Sequence, residues 1–545
     1  MSSDFRFKSS VEPKTLHRIF AVCGTEWGSG DPDGFASFQT KQLVDAILGG
    51  RAAKAYYLES KEGEIASVCV VTHHKAYYKD SGAGSVGAAD PASFGVLPAT
   101  ALRLSYVFTL AKFRGLGLMA KLVKKAMAVT EEEILKKELD KSSDKKGSFR
   151  DMVTNNEGKV DPQLATYYLG KKYAWYLYSA IKTTYSQFGF KPYPADGYVI
   201  PRSVLEGEAH ELVQKLLASS NGTSDKVPGK RLRFLDISNQ HDKDLVASIL
   251  QMKELDLLTD LNKSLFHSEL SGGRRSSSSL TNVHTALSQT RLGSVNELSS
   301  IAEKVGSVKI GAQGGQQGEP RHKSSMQTLS MSKLFLQPDF ANLQKQFAGD
   351  GPRIKKRGGD EAYANIKGAI LTNDLQQKSY YVLWSQIIDG KFFIVGSGEL
   401  KADVFGALSD PTRVEDRFGR RRSSFTGTNE LGGFNFQDLE LLISTAVFVA
   451  SKRSPELDRI FVTSQDLPDT IPSTVLYDFF TNYLPRSVPN VLKKDEEGSK
   501  ESNTVEYIED FSDNYKLLPM VRRFGLDSPE FELDWIASGS VVTWG

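Results

Sequence analysis

Cysteine is nearly missing from this chain: Cys23 and Cys69 are the only two among 545 residues. Two thiols build neither a disulfide framework nor a zinc site, which suits a reducing interior, and both are expected to pack as small apolar side chains. An excess of either charge is missing too. Lys plus Arg number 68 against 66 for Asp plus Glu, a formal charge of +2, so no global field draws the chain to DNA, RNA or an anionic membrane. Long apolar runs are also lacking. The longest, Leu441 to Ala450, is broken by Ser444 and Thr445 and falls short of the roughly 20 residues that span a bilayer; it reads as a core helix. The first residues, MSSDFRFKSSVEP, hold no apolar targeting segment. These absences predict a cytoplasmic protein with no metal and with no nucleic-acid or membrane partner. They leave its oligomeric state open.

What is present is a chain with 40% apolar and 25% charged residues, long enough for at least two packed cores. Residues 1–205 read as one domain, interrupted at about 131–170 by a charged insertion, poor in core residues, that is expected to be helical at first and loose afterwards. A linker is drawn at 206–230, where LASSNGTSDKVPG has the Ser, Asn, Gly and Pro of a boundary. Residues 231–545 read as a second domain. Its segment at about 269–332, rich in Ser and Gly and almost without aromatics, is expected to be a disordered insertion. Arg274-Arg275-Ser276-Ser277 and Arg421-Arg422-Ser423-Ser424 have a form that some kinases prefer, although such runs are common in solvated loops.

Between a predicted strand, Leu102 to Thr109, and a predicted amphipathic helix from Leu118 lies FRGLGL. The apolar positions Leu118, Met119, Leu122, Val123, Ala126 and Met127 recur at helical spacing. A glycine-containing turn at the start of a helix exposes successive amides that have no helical acceptor, and the helix dipole favours an anion there. No Gly-Lys-Ser/Thr follows, which excludes a Walker loop. A dinucleotide fingerprint would need glycine at the strand end, where Thr109 and Leu110 stand.

Arg114-Gly115-Leu116-Gly117-Leu118-Met119 resembles motif A of the GCN5-related N-acetyltransferases, with Met119 where a small residue is usual. AWYLYSAIKTTYSQFGFKPYP resembles their motif B, with Tyr185 four residues before Gly189-Phe190. The preceding order also matches: a helix over PKTLHRIFAVC, a second ending at Gly49-Gly50, and strands AKAYYLES and IASVCVVT. GTEWG, IASVCVV, VFTLAKFRGLGL and LYSAIKTTYSQFGFKPYPADGYVIP together are similar to the fungal lysine N6-acetyltransferases, two-part proteins that open lysine breakdown through N6-acetyl-lysine. Echoes in the second half are IKGAIL, YYVLWSQIIDGKFFIVG, FQDLELLISTAVFVASK and LDWIASGSVVTW. The fold that this implies is mixed α/β (α+β class): an acetyltransferase domain with a splayed mixed sheet, then a second, GNAT-like mixed α/β domain.

The resemblance implies acetyl-CoA as a substrate, cradled by Arg114, Gly115, Leu116, Gly117, Leu118 and Met119 and paired along the backbone of Val107, Phe108 and Thr109. The acceptor it implies first is a small-molecule amine, the N6 amine of free L-lysine. A polyamine or protein lysine is the alternative within the enzyme class, and a noncatalytic CoA-binding interaction protein is the alternative outside it. Tyr185 is the candidate general acid, or else packs on the sheet. Candidate bases are Glu26, placed in the loop after the first helix beside Trp27, and the terminal carboxylate of Gly545; an exposed acidic residue is the other reading of Glu26. His73 and His74 are adjacent on a strand, so at most one faces the site. The second half lacks another Arg-x-x-Gly-x-Gly loop, so a single acetyl-CoA site is expected.

Overall fold

The computed structural model describes residues 5–28, 30–80, 96–141, 149–155, 158–205, 207–220, 227–270, 332–387, 391–400, 436–468, 470–486, 504–510, 517–525 and 533–541. The segment expected to be a disordered insertion lies almost wholly outside these residues, as do both Arg-Arg-Ser-Ser clusters and Gly545. One compact unit comprises residues 1–80, 96–254 and 331–545, and a second comprises 81–95 and 255–330. Of the second unit, the described part is the end of one helix, residues 255–270. None of the described helices is long and apolar enough to cross a membrane.

The larger unit holds two mixed sheets, each flanked by helices. The first starts with β1 (Phe5–Ser10), α1 (Pro13–Trp27), α2 (Pro32–Leu48), β2 (Ala53–Ser60), β3 (Ile65–Lys79) and β4 (Val96–Thr109). Pro13 sits in the first turn of α1, whose Leu16, Ile19, Phe20 and Cys23 recur at helical spacing and are buried. Asp31 caps α2 by accepting the Gly34 amide at 2.8 Å. β1 to β4 form an antiparallel run, β1 along β2, β2 along β3 and β3 along β4. After α3 (Leu118–Lys141), α4 (Phe149–Val153) and α5 (Pro162–Leu169), β5 (Tyr173–Ser179) returns parallel to β4. Residues 65–71 of β3 are buried on both faces, because α3 covers one side and α1 the other.

The proposed charged insertion is less loose than expected. α3 runs on to Lys141, and Ile134, Phe149, Val153, Ala165 and Leu169 are buried in the same core as α3. Few apolar residues suffice because each sits on the inward face of a helix, and Asp161 caps α5 by accepting from the amides of Gln163 and Leu164. The linker span is also partly ordered: α6 (Glu208–Ser220) buries Val213 and Leu216.

The second sheet runs β14-β7-β13-β12-β11-β10-β8. Its strands are β7 (Gly197–Pro201), β8 (Lys230–Asp236), β10 (Ile366–Asn373), β11 (Lys378–Ile387), β12 (Lys391–Leu400), β13 (Arg459–Thr463) and β14 (Glu506–Ile508). Helix α7 (Gln240–Leu270) follows β8. β12 and β13 are parallel and joined through the helix Phe436–Arg453, as β4 and β5 are joined through α3. β9 (Ser332–Leu336) pairs with the far end of β3, and β16 (Leu533–Ile536) lies parallel to β9.

Sheet membership does not follow chain order. β15 (Leu518–Arg523), near the end of the chain, lies between β5 and β6 (Lys191–Pro192) of the first sheet. β7, from the first 205 residues, lies between β13 and β14 of the second. The second half therefore contributes three strands, β9, β15 and β16, to the first sheet and the first half contributes β7 to the second, so the linear boundary at 206–230 does not coincide with the edges of the sheets.

Candidate functional site

β4 carries an extra residue relative to β3. Val68 pairs with Phe108, but Val70 pairs with Ser105, and Tyr106 within the irregularity has φ +51°. A bulge of this kind bends its strand. On its other side β4 pairs with β5 from Thr100 to Arg103. Beyond Arg103 the two strands part, and β5 continues pairing with β15 through Ser179. The result is a fork, in which β4 from Tyr106 to Thr109 has no sheet partner on the β5 side among the described residues.

The chain leaves the fork through one 3-10 turn, Ala111–Phe113, and enters the glycine loop. Gly115 has φ +81° and Gly117 φ +69°. A Cβ at either would meet nothing within 4 Å, so glycine is required there by backbone conformation and not by space. The first amide bond of α3 runs from Lys121 to the Gly117 carbonyl at 3.2 Å. The amides of Leu118, Met119 and Ala120 come before it and have no helical acceptor. Met119 packs its side chain against the first core, which accommodates its bulk.

Arg114 and Glu26 form an ion pair, each about half-exposed. The Arg114 Nε also donates to the Thr109 carbonyl at 3.0 Å, and its guanidinium lies 5.5 Å from the centre of the Phe108 ring. Glu26 sits in the last turn of α1 and not in a loop after it. The helix runs through Trp27 and closes with the Gly28 amide on the Gly24 carbonyl at 2.9 Å. Trp27 packs edge-on against Phe108, with ring centres 5.2 Å apart, and lies 6.4 Å from Tyr106. The first helix is thereby pinned to the bulge.

Tyr185 lies in the 3-10 helix Lys182–Phe188, which Gly189 ends at φ +83°. It is buried in the core that also holds Leu118, with Val107 and Met119 packed against it. Its ring stands 6.1 Å from Phe188 and 6.3 Å from Phe190. Burial pushes its phenol pKa well up, and the Cys69 thiol adds to this. The structure thus gathers Tyr185, Val107, Leu118 and Met119 on the α3 side of the first sheet, and sets Arg114 with Glu26 at the mouth of the loop. His73 and His74 point to opposite faces. His73 is near Lys137 and Glu133 of α3, whereas His74 stacks edge-on against Tyr176 at 5.7 Å. Described residues end at Val541, whose amide donates to Asp466 at 2.8 Å and whose carbonyl accepts from Gln346 at 3.0 Å.

Sequence reasoning passed over Arg51, Arg103, Tyr176, Lys345 and Trp535, which the fold draws to the opposite face of the fork. The only signal was an arginine inside an apolar strand, LRLSYVFT. Two open concavities of about 330 and 590 Å³ lie on the second sheet, lined by residues such as Arg357 and Arg459 in one and Gln214 and Phe448 in the other. Neither contains the glycine loop, Tyr185 or the fork.

No protein-family model matches the chain, and no curated protein does. Solved structures align with it at low identity. A conserved protein of unknown function from Enterococcus faecalis V583, described as a probable N-acyltransferase, is 10% identical, with a TM-score of 0.37 over 96% of this chain and 73% of that one. A GCN5-related N-acetyltransferase from Kribbella flavida is 10% identical, with a TM-score of 0.35 over 96% and 72%. A tandem GNAT protein from the clavulanic acid biosynthesis pathway is 7% identical, with a TM-score of 0.32 over 96% of this chain and 99% of its own. Likenesses this slight carry no argument about chemistry. The arrangement described above is the chain's own: two mixed α/β sheets, each with a parallel strand pair joined through a long helix, and in the first a bulged, forked strand running into a glycine loop.

Proposed function

We propose that this chain transfers the acetyl group of acetyl-CoA to the N6 amine of free L-lysine, by direct attack within a ternary complex. The observation that carries acyl transfer is one continuous piece of chain: the fork opened at Tyr106 leads directly into the left-handed glycines and free amides at the start of α3. The open edge from Tyr106 to Thr109 offers backbone groups to the amides of a pantetheine arm, and the amides of α3 suit a pyrophosphate. Free lysine as the acceptor is supported by the sequence resemblance.

In the reaction the amine nitrogen bonds to the thioester carbonyl carbon, the carbon–sulfur bond breaks, and the thiolate leaves with a proton. Tyr185 is assigned as the donor of that proton. Its raised pKa keeps the phenol protonated at neutral pH, as a general acid must be. An alkyl ammonium has a reference pKa of about 10.4, so a proton must leave the lysine before attack. Glu26, held by Arg114 at the mouth of the loop, is the described carboxylate assigned to receive it, through water.

The test is incubation of the full chain with acetyl-CoA and a panel of L-lysine, spermidine and a lysine-containing peptide, read by mass spectrometry. One acetyl group on the N6 of lysine is the expected product. Acetyl-CoA binding without acetylation of any amine would overturn catalysis in favour of a CoA-binding interaction protein.

A further inference from the structure

The face of the first sheet turned away from α3 holds a set of buried polar groups that acetyl-CoA binding does not use. Leu102 and Leu104 face the α3 core, whereas Ala101 faces the core around Trp535. Arg103, alternating with them, shares the Ala101 face. Tyr176 stands directly opposite Arg103 on β5, and Thr72 opposite it on β3. Trp535 of β16 packs 5.7 Å from Tyr176, as does His74. The His74 Nδ1 is 3.3 Å from the Asn342 amide nitrogen, and Asn342 accepts from Arg51, which pairs with Asp339 at 2.7 Å. Lys345 lies one turn beyond Asn342 on the helix Phe340–Ala348.

Three cations, Arg51, Arg103 and Lys345, therefore gather where Asp339 pairs with Arg51 alone among the described residues. The crowding is visible in Lys345, whose pKa falls to about 8, first through burial and then through Arg51 and Arg103. His74 is held well below its ordinary value by burial and by the same three cations. The buried atoms left without a partner here are the Arg103 Nε, the Tyr176 hydroxyl and the Trp535 indole nitrogen. Tyr176 itself is fully buried. Each of these atoms can donate a hydrogen bond, and a buried donor left unpaired forfeits its hydration without replacement. Unpaired donors beside surplus positive charge call for an anion.

We propose that Arg103, Lys345 and the Tyr176 hydroxyl bind the carboxylate of the acceptor, which makes the acceptor a free amino acid and not a polyamine or a lysine within a protein. This deepens the acetyltransferase reading and rests on it for the position of the reacting amine. Arg103 is the last β4 residue paired with β5, at the root of the fork, and Tyr106 lies three residues further on, about 10 Å along a strand. The carboxyl carbon and N6 of lysine are six bonds apart, so a carboxylate held at Arg103 leaves the amine at the open fork. A polyamine would bring positive charge to the three cations.

The test compares equilibrium binding of L-lysine, 6-aminohexanoate and cadaverine, the last having the chain and amine of lysine without its carboxylate, to the full chain by calorimetry. Lysine and 6-aminohexanoate are expected to bind, with cadaverine weaker by at least about 30-fold, as loss of a buried charge pair implies. Arg103→Gln and, independently, Lys345→Met are expected to weaken lysine at least about tenfold while acetyl-CoA binding is kept. Equal binding of lysine and cadaverine, no binding of any of the three, or no effect of Lys345→Met in a chain with an unchanged melting curve would overturn the carboxylate site. Acetylation assays on the same ligands separate the two readings. Carboxylate-dependent binding without acetyl transfer would sink the enzyme reading and leave the site standing, whereas equal acetylation of lysine and cadaverine would do the reverse.

Discussion

Gly115 and Gly117 hold the loop after β4 by conformation alone, since neither has a neighbour that a Cβ would strike. Gly117→Val places a β-branched residue at φ +69°, which costs on the order of 1–2 kcal/mol locally and turns the amides of α3 away from a phosphate. The Michaelis constant for acetyl-CoA is expected to rise about tenfold or more with the melting temperature little changed; unaltered kinetics would remove the loop from the site. Tyr185→Phe keeps the ring among Phe188 and Phe190 and removes only the hydroxyl. A general-acid role requires kcat to fall on the order of 10²-fold, with acetyl-CoA affinity kept; a loss below about twofold would leave Tyr185 a packing residue. His73 reports on stability. Its pKa is pushed down to about 4, by burial and then by Lys137, while in the unfolded chain it takes up its proton near 6.5. Between those values the unfolded state binds more protons, so stability falls as pH drops from about 6.5 to 4, by up to about 1.4 kcal/mol per pH unit. Thermal melts of His73→Gln should show a flatter slope across that window, and an unchanged slope would remove His73 as its source. His74, lowered as well, adds a contribution of the same sign.

At the scale of elements, the turn that follows β13 anchors the last described stretch of the chain. Asp466 is buried there and accepts from the Thr463 hydroxyl at 2.8 Å, the Ser540 hydroxyl at 2.6 Å, the Val541 amide at 2.8 Å and the Lys253 ammonium at 3.1 Å. Asp466→Ala leaves a partly buried ammonium without its carboxylate and a buried backbone amide without its acceptor, so a loss of about 2 kcal/mol or more is expected in urea unfolding; a loss below about 1 kcal/mol would show that water replaces the carboxylate. Most elements near the site were legible. β4, β5, α1 and α3 show as apolar runs or helical spacing with glycine or proline at their ends. β1 is not legible in the sequence, because FRFKSS alternates over only a few residues, and its burial depends on β2 lying alongside. α6 falls within the linker span because it ends in Ser219 and Ser220 before a stretch rich in Ser, Asn and Gly, although Val213 and Leu216 mark an inward face.

For the whole molecule, the exchanged strands decide what can be separated. A chain ending at Ser219 keeps the glycine loop and Tyr185 but lacks β15, which pairs with β5 from Ala174 to Ser179 and places Leu518 and Met520 in the core of α3 and Tyr185. It also leaves β7 without β13 and β14. Such a chain is expected to be insoluble or to melt without a cooperative transition, and to recover acetyl-CoA binding when co-expressed with residues 220–545. A soluble, cooperatively folded 1–219 chain that binds acetyl-CoA alone would show that β15 is dispensable. The sequence by itself determined the glycine loop, the strand and helix that flank it and the position of Tyr185 before Gly189, because each rests on local spacing and backbone conformation; the two-sheet layout was implied by the family resemblance. The tertiary structure alone decided that β7 and β15 trade sheets, that Glu26 meets Arg114, and that Arg51, Arg103, Lys345, Tyr176 and Trp535 share one face. Backbone groups on a strand edge are alike whatever the sequence, so a strand's neighbour is set by which edge remains open in the folded molecule, and charges hundreds of residues apart meet only once those edges have been filled.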